Sequence, residues 1–239
     1  IEENKLGEKQ ALIDSLERAE ENDTSVHYAG IISDGGIHGH IDHLKALLEI
    51  TSDYDIDNVY VHCFTDGRDV DPKSAENYLS QIENWCRTYQ AEIATVMGRF
   101  YSMDRDHNWE RTHKAYRAMA ESEGFSFDDP EEAVEKAYED GEYDYFIQPS
   151  VAKDYPGMND NDEVIFYNFR ADRERQIEEE LVAEVDPDKF DEPIHPNFTS
   201  MFQYESQIDS PAIFEKQIVE DTLGEKIESA GLSQLRVAE

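Results

Sequence analysis

The stretch that decides the fold is Val26-His27-Tyr28-Ala29-Gly30-Ile31-Ile32, an apolar run that ends at the glycine-rich loop Ser33-Asp34-Gly35-Gly36. The run has the length and composition of a buried strand. Apolar residues then recur at helical spacing, at Ile41, Leu44, Leu47 and Leu48. A strand, a turn and an amphipathic helix in this order predict the first half of a βαβ unit.

The same order of elements repeats along the chain. Further strands are predicted at 58–64, 93–97, 164–169 and 198–204. Helices are predicted over about the first 24 residues and at 73–89, 109–119, 130–138, 171–183 and 222–230, with polar loops from residues 65 and 98 and at 186–196. The apolar stretch 143–147 has no clear periodicity. The pattern predicts one α/β domain, with a mainly parallel sheet covered by helices on both faces.

The charge of the chain is its most unusual bulk property. Its 239 residues include 21 Lys and Arg against 56 Asp and Glu, a formal net charge of −35. Binding to nucleic acid or to an anionic membrane needs clustered basic residues, so we expect neither partner. The acidity indicates either a functional acidic surface or adaptation to a salt-rich cytosol, and its even scatter favours adaptation.

The sequence also bears on compartment. Cys63 and Cys86 lack CxxC spacing and lie in apolar or amphipathic contexts, which is typical of buried free thiols in a reducing compartment. There is no apolar run of about 18 residues and no signal-peptide pattern at the start, so a cytoplasmic protein is expected. Both ends of the chain look like cuts within a longer polypeptide, which we expect to be a monomer.

Loops rich in functional side chains follow four of the predicted strands. These loops are 33–38, 65–69, 98–106 and 168–173, and they hold the five arginines Arg68, Arg99, Arg105, Arg170 and Arg173. The carboxyl ends of parallel strands meet at one edge of a sheet, where ligands of such folds bind. Because arginine binds carboxylate and phosphate through two hydrogen bonds, we expect a pocket for a small, multiply anionic ligand. The alternative is that each arginine pairs with a neighbouring aspartate in a surface salt bridge.

A second interpretation concerns the segment His38-Gly39-His40-Ile41-Asp42-His43. This spacing resembles that of binuclear zinc hydrolases of the metallo-β-lactamase type, whose histidines and aspartate bind two zinc ions. The other histidines lack the settings that such a site needs. With His40 and His43 on the first turns of a helix, capping or packing is the simpler explanation.

The loops resemble, in order and spacing, those of the cofactor-independent phosphoglycerate mutases. The motifs are 33–44, Thr65-Asp66-Gly67-Arg68-Asp69, 98–106, Trp109-Glu110-Arg111 and Asn168-Phe169-Arg170-Ala171-Asp172-Arg173. The resemblance covers essentially the whole chain. It departs from the commoner pattern at Gly39, where serine is frequent, and at His107-Asn108, which replaces a more basic pair.

That family combines a phosphatase-like domain, which carries a serine nucleophile and two manganese ions, with an inserted substrate-binding domain. The resemblance implies that residues 1–239 are the inserted domain alone, with about 1–10 and 222–239 as linkers to the phosphatase-like domain. It implies no metal ligand in this chain. It also implies interconversion of 2-phosphoglycerate and 3-phosphoglycerate, with Asp69 as general acid/base and with a substrate site formed by His38, Arg68, Asp69, Arg99, Arg105, Arg170 and Arg173. The alternative is a module that binds phosphorylated metabolites without catalysis.

Overall fold

A computed structural model of the chain describes residues 5–170, 172–182, 194–203, 210–215 and 221–235. The strands are β1 (Val26–Ile31), β2 (Val59–Thr65), β3 (Glu92–Gly98), β4 (Phe125–Phe127), β5 (Ser150–Ala152), β6 (Glu163–Phe166), β7 (Asn197–Phe202) and β8 (Ala212–Phe214). The helices are α1 (Gln10–Asn22), α2 (Ile41–Thr51), α3 (Ala75–Tyr89), α4 (Arg99–Ser102), α5 (Trp109–Ala120), α6 (Pro130–Glu139), α7 (Arg175–Val182) and α8 (Leu223–Ser229).

The strands form one sheet in the order β4-β5-β3-β2-β1-β6-β7-β8. Strand β1 lies in the middle and pairs in parallel with β2 and with β6. Strand β5 is antiparallel to β3, and β4 is parallel to β5, so these two strands run against the other six. The structure confirms an α/β fold built on a mainly parallel sheet.

Helices cover both faces of the sheet. Every residue of β1 and of β2 is buried, as expected for strands with helices on each side. On one face, α1, α2, α3 and α6 contribute Leu12, Leu44, Leu79 and Val134 to the core. On the other face, α5 and α7 contribute Met119 and Ile177. Cys63 and Cys86 are buried free thiols, as predicted.

Several boundaries differ from the sequence predictions. The predicted strand 164–169 leaves the sheet after Phe166, and Phe169 N–H donates instead to the His38 carbonyl, 2.7 Å away. The predicted helix 171–183 begins only at Arg175, and residues 171 and 183 lie outside the described part. The first helix is confined to 10–22. The predicted loop from residue 98 begins with the short helix α4.

The short strands β4, β5 and β8, each of three residues, were not predicted from the sequence. Three residues are too few to display a strand period. The stretch 143–147, which has no clear periodicity in sequence, contains the 3-10 helix Asp144–Phe146. None of the helices that the structure describes is long and apolar enough to cross a membrane.

Candidate functional site

The site begins at the ends of β1 and β2, where two loops are joined by Asp66. The Ser33 hydroxyl donates to Asp66 Oδ2 at 2.7 Å. The other oxygen, Oδ1, accepts the N–H groups of Arg68 and Asp69 at 3.1 and 3.0 Å. A carboxylate that binds backbone groups two and three residues ahead fixes a tight turn. This turn directs the Asp69 side chain toward the end of β3.

Arg99, the first residue after β3, is the most deeply buried charged group of the site. Its side chain is 1% exposed and donates to Asp66 Oδ1 at 2.7 Å and to Asp69 Oδ2 at 2.5 Å. Burial disfavours the charged guanidinium, but the two aspartates outweigh it and raise the pKa of Arg99. Burial likewise favours a higher pKa for Asp66, yet the bonds from Asp69 N–H and Ser33, with Arg99, keep that pKa below its usual value.

His38 completes this centre from the β1 loop. The ring is buried, with Nε2 3.9 Å from Asp69 Oδ2 and Nδ1 3.7 Å from Asp172 Oδ1. Burial, and then the charge of Arg99, lower the pKa of His38 to about 4. His38 is therefore neutral at pH 7. Its Nδ1, like Nε of Arg99, is buried without a hydrogen-bond partner in the described part of the chain.

Three more arginines approach from the 98–106 and 168–173 loops. Arg105 Nη1 lies 2.7 Å from Asp172 Oδ2, and Arg170 Nε lies 2.8 Å from Asp172 Oδ1. The side chains of Arg105 and Arg170 are 47% and 48% exposed. Arg173 donates to the Met103 carbonyl at 3.2 Å. Burial, and then the charges of Arg99 and Arg105, lower the pKa of Arg173.

The structure therefore brings most of the predicted site residues to one edge of the sheet. His38, Asp69, Arg99, Arg105, Arg170 and Arg173 lie there, and the aspartate pairing considered as an alternative is present as well. Asp172 forms ion pairs with both Arg105 and Arg170. These two half-exposed guanidinium groups are therefore open to an incoming anion. Arg68 lies beside Asp69 on the loop after β2, but its side chain is exposed and forms no ion pair with the described residues.

Two residues beneath the arginines were missed. Asn168 accepts Ile31 N–H at 2.9 Å and donates to Glu174 Oε1 at 2.9 Å. Glu174 also accepts Arg173 N–H at 3.0 Å. Burial raises the pKa of Glu174 to about 8, although both hydrogen bonds oppose the shift. The only sequence signal for Asn168 was its place in the 168–173 motif. Glu174 lies just beyond that motif, and nothing distinguished it from the many acidic residues on helices.

The histidines of the possible zinc motif do not meet at one point, although the His40 and His43 rings lie 6.2 Å apart. His38 faces Asp69 and Asp172, whereas His40 caps α2 by accepting Asp42 N–H at 3.2 Å. The His43 ring packs edge-on against Phe169. Across the described ranges, no three His, Cys, Asp or Glu side chains are placed to hold a metal ion.

Comparison with known proteins identifies the relatives of this arrangement. A family model described as "BPG-independent PGAM N-terminus" matches residues 1–206. The chain belongs to this family.

Curated relatives of the chain bear the name 2,3-bisphosphoglycerate-independent phosphoglycerate mutase. The protein from Moorella thermoacetica is 43% identical over 237 residues, which cover 96% of this chain and 46% of the relative. The protein from Clostridium perfringens strain 13 is 42% identical over 248 aligned residues, which cover 100% of this chain and 48% of the relative. The chain thus spans about half the length of the curated relatives that it matches.

A solved structure shares the fold. It is described as a Leishmania mexicana phosphoglycerate mutase at low cobalt concentration, and the TM-score is 0.85 at 22% sequence identity. The match covers 96% of this chain and 45% of that chain. At this identity the likeness supports the α/β architecture alone.

Proposed function

We propose that this chain is the part of a phosphoglycerate mutase that binds the glycerate and turns it over between two phosphoryl transfers. In this proposal, 2-phosphoglycerate and 3-phosphoglycerate interconvert through a phosphoserine on the remaining part of the polypeptide. The observation that supports it most directly is the Asp69 carboxylate, held 2.5 Å from buried Arg99 and 3.9 Å from neutral His38 beside a group of arginines.

The arginines suit a ligand with two anionic groups. Arg105 and Arg170 share a single carboxylate, Asp172, and about half of each side chain is open to solvent. We propose that they and Arg173 bind the phosphate or carboxylate of the substrate in place of Asp172. Arg68 is exposed on the loop after β2, and we propose that it moves onto the same ligand when the ligand binds.

Asp69 is proposed as the general acid and base. When the phosphoryl group passes to the serine, the departing glycerate oxygen takes a proton from Asp69. When the other hydroxyl attacks the phosphoserine, the Asp69 carboxylate takes that hydroxyl's proton, so the residue returns to its starting state. The Arg99 guanidinium, 2.5 Å from Asp69 Oδ2, holds the Asp69 side chain in place. His38 is neutral at pH 7, and its unpartnered Nδ1 offers a hydrogen bond to a glycerate oxygen.

The metal chemistry is assigned to the other half of the polypeptide. The family resemblance implies two manganese ions there, which would activate the serine and bind the transferring phosphoryl group. No step is assigned to a metal held by this chain. We propose that residues 1–239 form one domain, with about 1–10 and 222–239 as linkers.

The binding role is tested by calorimetric titration of the 239-residue chain with 3-phosphoglycerate, with Arg170→Ala as the variant. Truncation should weaken binding by about 1.5 to 3 kcal/mol, because it removes a charged hydrogen-bond donor. Arg87→Ala is the matched control, since Arg87 is exposed on α3 and pairs only with Glu83 among the described residues. Equal affinity of wild type and Arg170→Ala, or no binding by folded wild type, would contradict the assignment of the glycerate site to this chain.

The catalytic role is separated from binding by Asp69→Asn in the complete polypeptide. Turnover should fall by about 10² to 10⁴, because the amide cannot exchange a proton with the substrate hydroxyls. Affinity for 3-phosphoglycerate should change far less. Unchanged turnover would exclude Asp69 as the acid/base, and binding without any turnover in the wild-type polypeptide would favour the alternative of a non-catalytic phosphometabolite module.

The acidic surface is proposed as an adaptation to a salt-rich cytoplasm. With a net charge of −35, self-repulsion destabilises the compact state in dilute buffer. Raising KCl from about 0.1 to 1 M shortens the Debye length from about 10 to 3 Å. The melting temperature should therefore rise over this range, and a fall would contradict the proposal.

A further inference from the structure

A buried carboxylate lies behind the site, on the far side of the loops that carry Asp69 and Arg99. Asp144 begins the 3-10 helix Asp144–Phe146 and is 1% exposed. Its Oδ2 accepts the N–H groups of Ser74 and Ala75 at 2.8 and 3.0 Å, and its Oδ1 accepts the Tyr138 hydroxyl at 2.5 Å. Asp144 thus caps the first turn of α3 from a distant part of the chain.

The backbone of the same residue ties down both ends of the 65–72 loop. The Asp144 carbonyl accepts the Thr65 hydroxyl at 2.6 Å. The Asp144 N–H donates to the Pro72 carbonyl at 3.0 Å. Between these two anchors lie Asp66 and Asp69. A single residue therefore fixes the span of the loop that presents the proposed acid/base.

The segment that follows Asp144 also fixes the start of α4. Gly98 N–H donates to the Ile147 carbonyl at 2.8 Å, and a Cβ on Gly98 would lie 2.8 Å from the Asp144 carbonyl oxygen. At Gly67, where φ is +64°, a Cβ would lie 2.9 Å from Asp144 Cβ. Both glycines permit a backbone approach that a larger residue would prevent. Gly67 precedes Arg68 and Asp69, and Gly98 precedes Arg99.

We propose that Asp144 is a positioning residue, which sets the Asp69 carboxylate against the Arg99 guanidinium by holding the β2 and β3 loops in one arrangement. The inference rests on the proposed function, in which that pair serves the glycerate. Asp144 itself lies behind the loops and is given no contact with the ligand. The competing explanation is that Asp144 only caps α3 and contributes stability.

The test compares Asp144→Ala with Asp144→Asn in the 239-residue chain. Asparagine keeps an acceptor for the Ser74 and Ala75 N–H groups, and its amide can donate to the Tyr138 oxygen. Alanine keeps neither, so the backbone groups of residue 144 that bond Thr65 and Pro72 lose the side-chain contacts that hold them in place. We expect Asp144→Ala to weaken binding of 3-phosphoglycerate by about ten-fold or more, as a small misplacement of charged groups does. Asp144→Asn should remain close to wild type.

The His38 ring provides a readout that does not depend on ligand. The groups that face it are Asp69, Asp172, Arg99 and Arg170, and its pKa of about 4 depends on burial and on Arg99. In Asp144→Ala, NMR titration should show the pKa of His38 moving up toward about 6.5. Asp129→Ala is the matched control, because Asp129 caps α6 by accepting Glu131 N–H at 3.0 Å. That variant should lose stability without moving the pKa of His38.

Three outcomes decide between the explanations. A folded Asp144→Ala with the wild-type pKa of His38 overturns the positioning role and leaves only a cap. If Asp144→Ala fails to fold, Tyr138→Phe removes one hydrogen bond to Asp144, and an unmoved pKa of His38 in that variant also overturns it. If the wild type does not bind 3-phosphoglycerate, the proposed function fails, and the pKa comparison still decides the positioning role.

Discussion

The two ends of the central sheet both bury histidine and aspartate. They differ in how many of the buried polar atoms have hydrogen-bond partners. At the amino end, Asp162 lies just before β6, and its Oδ2 is 3.3 Å from His27 Nε2. His27 Nδ1 lies 3.1 Å from His62 Nε2, and His62 Nδ1 lies 3.0 Å from the Thr95 hydroxyl. All four side chains are buried.

The order of this network fixes the position of each proton. While Asp162 is ionised, its carboxylate can only accept, so His27 donates from Nε2–H. The Nδ1 atom of neutral His27 then accepts a hydrogen bond from His62 Nε2–H. His62 Nδ1 then accepts from Thr95. Burial lowers the pKa of both histidines, which therefore remain neutral. Each ring nitrogen has a partner, and no group is left to bind a ligand.

The carboxyl end is built from similar residues but is incomplete. His38 Nδ1 and Arg99 Nε are buried and have no hydrogen-bond partner among the described residues. Buried polar atoms without partners cost stability, and native structures retain few of them. Buried histidine alone therefore does not mark a binding site. The unsatisfied atoms beside half-exposed arginines distinguish the ligand-binding end from the structural end.

The largest effect expected from this comparison is on stability at the amino end. Asp162→Ala removes the acceptor of His27 and of the Ser25 and Asn159 N–H groups, which lie 3.0 and 2.7 Å from the carboxylate. It should lower the free energy of unfolding by about 3 kcal/mol or more, because three donors lose their acceptor at about 1 to 3 kcal/mol each. Urea denaturation in about 1 M KCl measures the change.

Asp69→Ala is the matched variant at the carboxyl end. Arg99 keeps Asp66 at 2.7 Å when Asp69 is removed, so the stability cost should be about 1 kcal/mol. Binding of 3-phosphoglycerate should be weakened more by Asp69→Ala than by Asp162→Ala. The Asp162→Ala variant should bind like wild type under conditions in which it is folded. Equal losses of stability in the two variants would contradict the proposed difference between the amino and carboxyl ends of the sheet.

Much of the fold was predictable because long apolar runs bounded by glycine and charge determine it. The runs that became β1 and β2 are buried throughout, so neither turn chemistry nor tertiary contacts competed with their pattern. The short strands β4, β5 and β8 had too few residues to show a period. The predicted strand 164–169 was too long because Phe169 bonds to the His38 loop, a contact between residues far apart in sequence.

The candidate site was predictable for a related reason. Parallel strands bring their carboxyl ends together, so loops that are distant in sequence become neighbours without any further information. What could not be predicted is which carboxylate serves which arginine. The sharing of Asp172 by Arg105 and Arg170, and the place of Asp144 behind the loops, depend on side-chain and backbone contacts that leave no period or motif.

A smaller effect on stability is expected from acidification. It reports on the His27 and His62 network at the amino end of the sheet. The folded-state pKa values of His27 and His62 lie below the unfolded value of about 6.5. The unfolded chain therefore binds more protons below pH 6.5, and stability present above that pH is lost as the pH falls. Each histidine contributes up to about 1.4 kcal/mol per pH unit.

Glu174 acts in the opposite direction over the same range. Its folded pKa of about 8 lies above the unfolded value, so its contribution to stability grows as the pH falls from 8 toward 4.5. His38 and His43, whose pKa values are lowered to about 4, add to the loss at acid pH.

The difference in free energy of unfolding between wild type and His62→Asn cancels these shared contributions. Measured by urea unfolding in 1 M KCl at pH 6.0 and 5.0, that difference should shrink by about 1 kcal/mol, because His62→Asn has one fewer proton to gain on unfolding. A difference that stays constant would mean that His62 is protonated in the folded protein, and the proton order assigned to the amino-end network would then be wrong.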